Sequence, residues 1–250
     1  MLLAADYSQI ELRIMAHLSQ DPALIEAFRL DEDIHAATAA SVFGVPLDEV
    51  TSDQRRRAKV FNFGVMYGLS EFGLSSRERI SREEAAAFIR RYFEKYAKVR
   101  DWRDGAIESC RSLGYAETLL GRRRYIPEIK SPNFQIRSSG ERMAINMPVQ
   151  GTASDIIKVA MNRVDEELTA KKLETKMILQ VHDELIFEGP RSEIDAIRDM
   201  CLRIMPVSLD LVVPLKVDVK TGKNWGELEV ARGPLVAEES ALEFAESAGG

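Results

Sequence analysis

Residues 176–187 read KMILQVHDELIF, and this stretch decides the fold class. Two apolar runs, 176–181 and 184–187, predict two β-strands, and the polar pair His182-Asp183 between them is typical of a hairpin bend. Because a bend exposes its side chains, the stretch also places the carboxylate of Asp183 where it can act chemically.

Further strands are predicted near the two ends of the chain. Residues 2–5 form a short apolar run that ends at Asp6, and apolar residues alternate over 213–219, as in a half-buried strand. The middle of the chain, about 33–152, has mostly helical patterns. This distribution predicts an α+β domain whose sheet is interrupted by a helical insertion.

Apolar residues three and four positions apart predict the helices. These cover residues 10–18, 53–67, 81–96, 99–113, 135–148, 156–168 and 192–204. Ser52 or Asp53 is expected to cap the second of them, and Pro148 is expected to end the fifth because proline has no backbone N–H. Residues 115–126 predict a second hairpin that turns at Gly121.

The composition is that of an ordinary globular protein. Hydrophobic residues make up 45% of the 250 residues and charged residues 30%, which excludes a disordered chain. No apolar run is long enough to span a bilayer, and the first residues lack the basic leader of a signal peptide. The two cysteines, Cys110 and Cys201, are expected to be buried thiols rather than a disulfide framework or metal cluster.

The formal net charge of −6 argues mildly against a nucleic-acid binder. However, residues 229–250 contain five Glu and one Arg, so they alone contribute −4. Two basic clusters lie elsewhere, at 55–59 and 122–124. A charge run is usually a solvated surface, so these clusters need independent support.

Two carboxylates stand at predicted strand ends. Asp6 opens the run DYSQIELR at 6–13, and Asp183 lies in VHDE at 181–184. Mg²⁺ prefers one or two carboxylates together with substrate phosphates and water, and two such ions assist an in-line displacement at phosphorus. Each aspartate taken singly is better interpreted as a turn residue.

The helix over 53–67 carries a second candidate site. Steps of four residues place Arg55, Lys59, Phe63 and Tyr67 along one slowly drifting face. Its cations suit a triphosphate, and its rings suit a sugar and base. Gly64 inside the helix suggests that a base or another helix approaches there. The alternative is an amphipathic helix with a basic, solvated end.

Together these segments resemble the motifs of the family A DNA polymerases. Residues 6–13 are similar to motif A, residues 55–68 (RRRAKVFNFGVMYG) to motif B in the fingers, and residues 181–184 to motif C. GRRRYIP at 121–127 and NMPVQGTA at 146–153 resemble further family segments. Five such segments in the family's order make chance a poor explanation.

The resemblance covers about residues 2–228 and implies the fold: α+β, a polymerase palm with a small antiparallel sheet, interrupted by a mainly helical fingers subdomain. It implies that residues 1–32 are the first part of the palm, 33–152 the fingers and 153–229 the second part of the palm. Residues 230–250 are expected to be a flexible acidic tail.

The resemblance also implies a catalytic set, namely Asp6, Asp183, Glu184 and Lys59. Asp6, Asp183 and the backbone carbonyl of Tyr7 would ligate two Mg²⁺ ions, with Glu184 as an auxiliary acid. One ion would lower the pKa of the primer hydroxyl, and the other would bridge the phosphates.

Binding roles follow in the same way. The nucleotide-binding residues implied are Glu11, His35, Arg55, Lys59, Phe63 and Tyr67. Among them His35, Arg55 and Lys59 would contact the triphosphate, and Phe63 would pack on the sugar. Tyr67 would lie near the template base, at the hinge end of the fingers. Glu11 would exclude a ribose 2′-OH. The DNA-binding residues implied are Arg142, Asn146, Gln150 and His182.

The function implied is template-directed DNA synthesis in replication and repair, with addition of deoxynucleotides to a primer 3′-OH and release of pyrophosphate. The partners implied are primer–template DNA and deoxynucleoside triphosphates, with no membrane, in the cytoplasm of a bacterium and associated with the nucleoid. Family members carry a thumb and further palm strands upstream of motif A. Without those segments we expect weak DNA binding, poor processivity and an exposed apolar sheet edge.

Three other functions remain open from the residues. A metal-dependent nuclease also uses paired carboxylates, but it does not need Glu11 or the cationic and aromatic face of the helix over 53–67. A single-subunit RNA polymerase or a reverse transcriptase is closer in mechanism, and Glu11 argues against ribonucleotides. The third is a fragment that binds DNA or nucleotide without catalysis.

Overall fold

The structure, a computed structural model, describes residues 1–230. Its strands are β1 Leu2–Tyr7, β2 Tyr115–Glu117, β3 Arg123–Tyr125, β4 Lys176–Val181, β5 Glu184–Glu188, β6 Val217–Gly222 and β7 Glu229–Val230. Its helices are α1 Ile10–Ser19, α2 Pro22–Arg29, α3 Ile34–Phe43, α4 Ser52–Met66, α5 Glu71–Glu78, α6 Arg82–Lys95, α7 Ala97–Leu113, α8 Phe134–Ala170 and α9 Ile194–Ile204. The predicted α+β class is confirmed.

Five strands form one antiparallel sheet in the order β4-β5-β1-β6-β7, and β2 pairs only with β3. The central strand β1 buries Leu3, Ala5 and Tyr7 on one face. Helix α9 packs against β1 and β6, and α8 packs against α9 and α1. Because side chains alternate across a strand, Asp6 points to the opposite face, away from this core.

The strand predicted over 213–219 is shorter than expected. Val213 and Leu215 are buried, but β6 begins only at Val217. The reason lies in Pro214, which has no N–H for a ladder and whose carbonyl accepts a hydrogen bond from the Arg13 guanidinium at 2.5 Å. The buried Arg13 also donates to the carbonyl of Ser8, so it ties the residue that follows β1 to the segment that precedes β6.

The prediction of a helix end at Pro148 is wrong. Helix α8 continues through this residue as one helix of 37 residues. A proline inside a helix costs about 3 kcal/mol, but Pro148, Val149 and Thr152 are all buried here. We infer that the packing of this segment outweighs the lost hydrogen bond.

The predicted hairpin turn is observed, and helices α4 and α9 begin within one or two residues of their predicted starts. Thr51, rather than Ser52 or Asp53, caps α4, and it forms a capping box with Gln54. The β2–β3 hairpin turns at Gly121, which has a φ of 82°. A 3₁₀ turn replaces the predicted first turn of α9.

The edge strand β4 exposes apolar side chains. Ile178 and Leu179 are 48% and 46% exposed, so this edge strand has an apolar surface. Cys110 and Cys201 are buried and unpaired, as expected. Within residues 1–230, no helix is long and apolar enough to cross a membrane. Most of the predicted tail, from residue 231, lies outside the described residues.

Candidate active site

Asp6 lies at the centre of an acidic cluster that the sheet register creates. It is directly opposite Glu184 of β5 on one side and Asp218 of β6 on the other. Burial raises the pKa of Asp6 to about 6; the carboxylates of Asp183, Glu184 and Asp218 add to this rise, whereas Lys220 lowers the pKa. Crowding of this kind leaves the cluster ready to accept a cation, because a cation relieves the repulsion.

The hairpin bend holds Asp183 beside the end of β1. Val181 pairs with Glu184, so His182 and Asp183 form a two-residue bend, in which His182 has a left-handed φ of 54°. The backbone N–H of Tyr7 donates to the carbonyl of Asp183 at 3.2 Å. The structure therefore brings together the two aspartates that lie 177 positions apart in the sequence.

Tyr7 anchors the same end of β1 from the other face. Its ring is buried, and its hydroxyl donates to the carbonyl of Met205 at 2.7 Å. The backbone of Tyr7, which carries the carbonyl predicted as a metal ligand, is thus held by a side chain fixed in the core. Among residues 1–230, no three His, Cys, Asp or Glu side chains form a metal-binding group by themselves. A site built from two carboxylates and a carbonyl still fits Mg²⁺, which takes its remaining ligands from phosphates and water.

Glu11 joins this cluster to the end of α4. It lies in the first turn of α1; burial raises its pKa and the charge of Asp183 adds to the rise, whereas the Tyr67 hydroxyl lowers it. The pKa of Tyr67 is raised, first by burial and then by Glu11, while Gln150 acts in the opposite direction. The Tyr67 hydroxyl is buried and has no well-formed hydrogen bond within the described chain. Glu11 therefore stands between the carboxylates and the aromatic end of α4.

A cavity of about 460 Å³ lies along α4. Its size falls within the usual range for small-molecule sites. The rings of Phe63 and Tyr67 are nearly parallel, with centroids 6.4 Å apart and an interplanar angle of 24°. The residues that line the cavity are Arg56, Lys59, Val60, Phe63, Gly64, Tyr67, Leu69, Arg77, Arg142 and Asn146. Five predicted site residues therefore share one cavity, which combines cations, rings and an amide.

Arg55 and His35 lie outside the lining of this cavity. Arg55 forms an ion pair with Asp33, the residue that caps α3. His35 is only 3% exposed; its Nδ1 lies 3.0 Å from the Asn62 amide nitrogen, and its ring centroid is 5.9 Å from that of Phe63. Burial lowers the pKa of His35 to about 4, and Arg55 adds to this effect. His35 is therefore neutral at pH 7 and can offer a hydrogen bond but no charge.

The predicted DNA-binding residues of α8 share one helix face, because Arg142, Asn146 and Gln150 are four positions apart. Arg142 and Asn146 reach the cavity, and Gln150 is exposed beside Tyr67. The Oδ1 atom of Asn146 is buried without a hydrogen-bond partner in the described chain. The fourth predicted residue, His182, is exposed in the β4–β5 bend.

Sequence reasoning missed several of these residues. Arg56 and Arg77 line the cavity, and Asp218 faces Asp6 across the sheet. Asp218 had a signal in the sequence, because polar residues alternate with valine at 217–220, as in a strand with one polar face. Arg77 had none, since its place depends on how α5 packs.

Two other expectations change in detail. A side chain at Gly64 would place its Cβ 2.9 Å from Leu69, so the glycine admits this leucine. Gly64 also lines the cavity, and the approach of a base there stays a prediction. In the basic cluster at 122–124, Arg122 binds Asp155 at 2.9 Å and the carbonyl of Gly151 at 2.7 Å. Arg122 therefore joins the β2–β3 hairpin to α8.

A small sheet with clustered carboxylates, beside a helix of cations and rings, defines a polymerase palm with attached fingers. The family model described as DNA polymerase family A matches residues 1–227. The chain therefore belongs to DNA polymerase family A.

Individual relatives agree with this assignment. The chain is 51% identical over 225 residues to DNA polymerase I of Bacillus subtilis (strain 168), which covers 90% of this chain and 26% of the relative. It is 50% identical over 226 residues to DNA polymerase I of Caldicellulosiruptor bescii, which covers 90% of this chain and 27% of the relative. It thus spans about a quarter of the length of these relatives.

A solved structure gives the same result. The POL domain of Pol1 from M. smegmatis, in complex with DNA primer-template and dNTP, is 47% identical and superposes with a TM-score of 0.87. The similarity covers 90% of this chain and 40% of that one.

Proposed function

We propose that this chain carries the active site for template-directed DNA synthesis. The 3′-oxygen of a primer forms a bond to the α-phosphorus of a deoxynucleoside triphosphate, and the bond from that phosphorus to the leaving pyrophosphate breaks. The observation that carries the proposal is the continuous path from Asp6 and Asp183 through Glu11 to Tyr67 and the cavity along α4.

Asp6, Asp183 and the carbonyl of Tyr7 would hold two Mg²⁺ ions. The donor set fits, because hard oxygen ligands converge where burial, and then repulsion among the carboxylates, raises the pKa of Asp6 to about 6. When bound, the ions supply positive charge that makes the primer hydroxyl more acidic and stabilises the pyrophosphate. Glu184, opposite Asp6 in the sheet, keeps the cluster negative.

The residues of α4 would bind the nucleotide. Lys59 and Arg55 meet the triphosphate with positive charge, while neutral His35 donates a hydrogen bond. Phe63 offers its ring to the sugar, and Tyr67 lies beside the position for the new base pair. Glu11 narrows the space for the sugar, so a ribose 2′-OH is excluded.

The face of α8 and the hairpin bend would bind the primer and template. Arg142 supplies a phosphate contact, and Asn146, Gln150 and His182 supply polar contacts to the strands near the new base pair. The unpartnered Oδ1 atom of Asn146 supports this role, since a buried acceptor without a partner is costly unless a ligand pairs with it.

The wider role we propose is DNA replication and repair in the bacterial cytoplasm, at the nucleoid. Upstream thumb and palm segments, as in the longer relatives, would supply most of the grip on duplex DNA. This is consistent with the apolar edge at β4, which such segments would cover.

Extension of a labelled primer–template with Mg²⁺ and deoxynucleotides tests the proposal, with Asp183→Ala as the inactive variant and Glu188→Gln as the control on the same strand. Longer products that disappear only in Asp183→Ala support polymerase activity. Shortened products would instead support a nuclease, and unchanged primer bound by a folded chain would support a non-catalytic fragment.

A further inference from the structure

The indole of Trp225 contacts the acidic cluster from a part of the chain without an implied role. Its Nε1–H donates to Oε2 of Glu184 at 3.1 Å. The two residues are 41 positions apart in the sequence, so only the fold brings them together. Trp225 remains 48% exposed. Its distinctive feature is therefore this hydrogen bond and not burial of the ring.

The position of this indole is set by the tight turn between β6 and β7. The 3₁₀ turn Trp225–Glu227 leads into β7, and the amide of Asn224 donates to the Glu227 carboxylate at 2.7 Å. The turn closes against Gly222, where an added Cβ would lie 2.7 Å from the Glu227 carbonyl oxygen. Glycine is therefore required for this path of the backbone.

The turn directs the indole back along the sheet. Gly222 pairs with Leu2, whereas Glu184 pairs with Asp6. The hydrogen bond from Trp225 to Glu184 thus joins the turn that follows β6 to β5, the strand on the far side of β1. A rigid side chain with an N–H donor suits this contact, and a phenylalanine would keep an aromatic ring but lose the donor.

Glu184 is one of the carboxylates that act on Asp6. It follows Asp183 in the chain and lies directly opposite Asp6 in the sheet. A hydrogen bond to a charged carboxylate is stronger than one between neutral groups, and it fixes the direction of the oxygens. Donors that orient the groups around a metal site influence affinity without touching the ion.

We propose that Trp225 is a positioning residue, whose indole N–H holds the Glu184 carboxylate in place beside Asp6 and so sets the affinity of the cluster for divalent cations. This inference rests on the proposed function of Asp6 and Asp183 as metal ligands. Trp225 touches neither substrate nor cation in this role.

The chain provides its own control, because it has two tryptophans and the other, Trp102, lies in α7. The first experiment records the two indole N–H signals by nuclear magnetic resonance, assigned with Trp102→Phe. Glu184→Ala, which removes the acceptor, is expected to shift the Trp225 signal upfield, while Glu188→Ala, on the same strand, leaves it in place. An unmoved signal in Glu184→Ala removes the hydrogen bond and with it the proposal.

The second experiment measures Mn²⁺ binding to the chain by electron paramagnetic resonance, without DNA or nucleotide. Trp225→Phe is expected to weaken Mn²⁺ binding about tenfold, whereas Trp102→Phe matches the wild type. Equal affinities in the two variants overturn the positioning role but leave the metal site standing. If the wild type binds no Mn²⁺, the proposed ligands and the positioning role both fail.

Discussion

The sheet carries the negative charges of the site at fixed positions, whereas helix α4 carries positive charges on long side chains. In the sheet, Asp6 lies between Glu184 and Asp218 at a register fixed by backbone hydrogen bonds, so its repulsion is built into the fold. On α4, the cations are long and exposed, and Arg55 already has a partner in Asp33. The negative half of the site is rigid and strained, whereas the positive half is open and adjustable.

This difference has a physical reason. Strand pairing fixes the backbone positions of residues that carry short carboxylate side chains. These carboxylates cannot move apart unless the hydrogen bonds between the strands break. Lysine and arginine side chains on a helix have many accessible rotamers, and they avoid mutual repulsion by extending into solvent. In the function that we propose, the carboxylates of the sheet would bind cations, and the cations of α4 would bind the phosphates of an incoming nucleotide.

Asp6→Asn tests the rigid half of this comparison most strongly. Loss of one proposed ligand carboxylate is expected to lower primer extension about a thousandfold, because the strand register holds the neighbouring Glu184 and Asp218 at their own positions. Asp218→Asn, on the neighbouring strand, should retain activity within about threefold. Steady-state extension rates measure both; similar losses in the two variants would mean that the cluster acts as a whole.

His35→Gln tests how the fingers hold a buried group. The folded pKa of His35, about 4, lies below its ordinary value of 6.5, so the unfolded chain binds more protons between these values and stability falls as the pH drops from 6.5 to 4. The contribution lost is about 3 kcal/mol. Urea unfolding at several pH values should show that His35→Gln does not lose this stability as the pH drops. If the free energy of unfolding depends on pH as in the wild type, the low pKa of His35 is contradicted.

Lys59→Ala tests the open half of the site. Lys59 has no ion pair among residues 1–230 and lines the cavity, so its charge is free for phosphate. We expect kcat/KM for the nucleotide to fall about a hundredfold, with little change in duplex binding. Lys98→Ala, which removes an exposed lysine paired with Asp101, is the control, and a matching loss there would show a general effect of charge.

Asp6→Asn should also change stability, by a smaller amount. Because the folded pKa of Asp6, about 6, lies above its ordinary value of 3.8, the folded state holds the extra proton, and stability falls as the pH rises from 4 to 6. The variant should therefore melt about 3 °C above the wild type at pH 8. The gain should vanish near pH 4, and a gain that persists there would locate its cause elsewhere.

The opposite signs of these two pH responses sharpen the comparison. Between pH 4 and 6, titration of Asp6 favours unfolding as the pH rises, whereas titration of His35 favours folding. The two effects oppose each other in the wild type. Asp6→Asn should therefore show the pH dependence of stability due to His35, and His35→Gln the pH dependence due to Asp6.

Much of the fold was predictable where neighbours in sequence decide the structure. The hairpin around His182 and Asp183 and the helix over 53–67 depend on local geometry; the hairpin is confirmed, and the helix is observed as Ser52–Met66. The end predicted at Pro148 is wrong because burial of that part of α8 outweighs a local penalty. The cap lies at Thr51, one residue before the nearer predicted position, because the capping side chain rather than the apolar pattern sets the helix start.

The sequence by itself determined the class of fold and the candidate carboxylates, cations and rings, because these depend on residue type and order. Its motifs carry the resemblance to the family. Only the tertiary structure decided that Asp218 faces Asp6, that Glu11 meets Tyr67 and that Trp225 reaches Glu184. Such contacts depend on strand register and on the return path of distant segments. Since a register shift of one residue turns every side chain to the other face, no local pattern determines them.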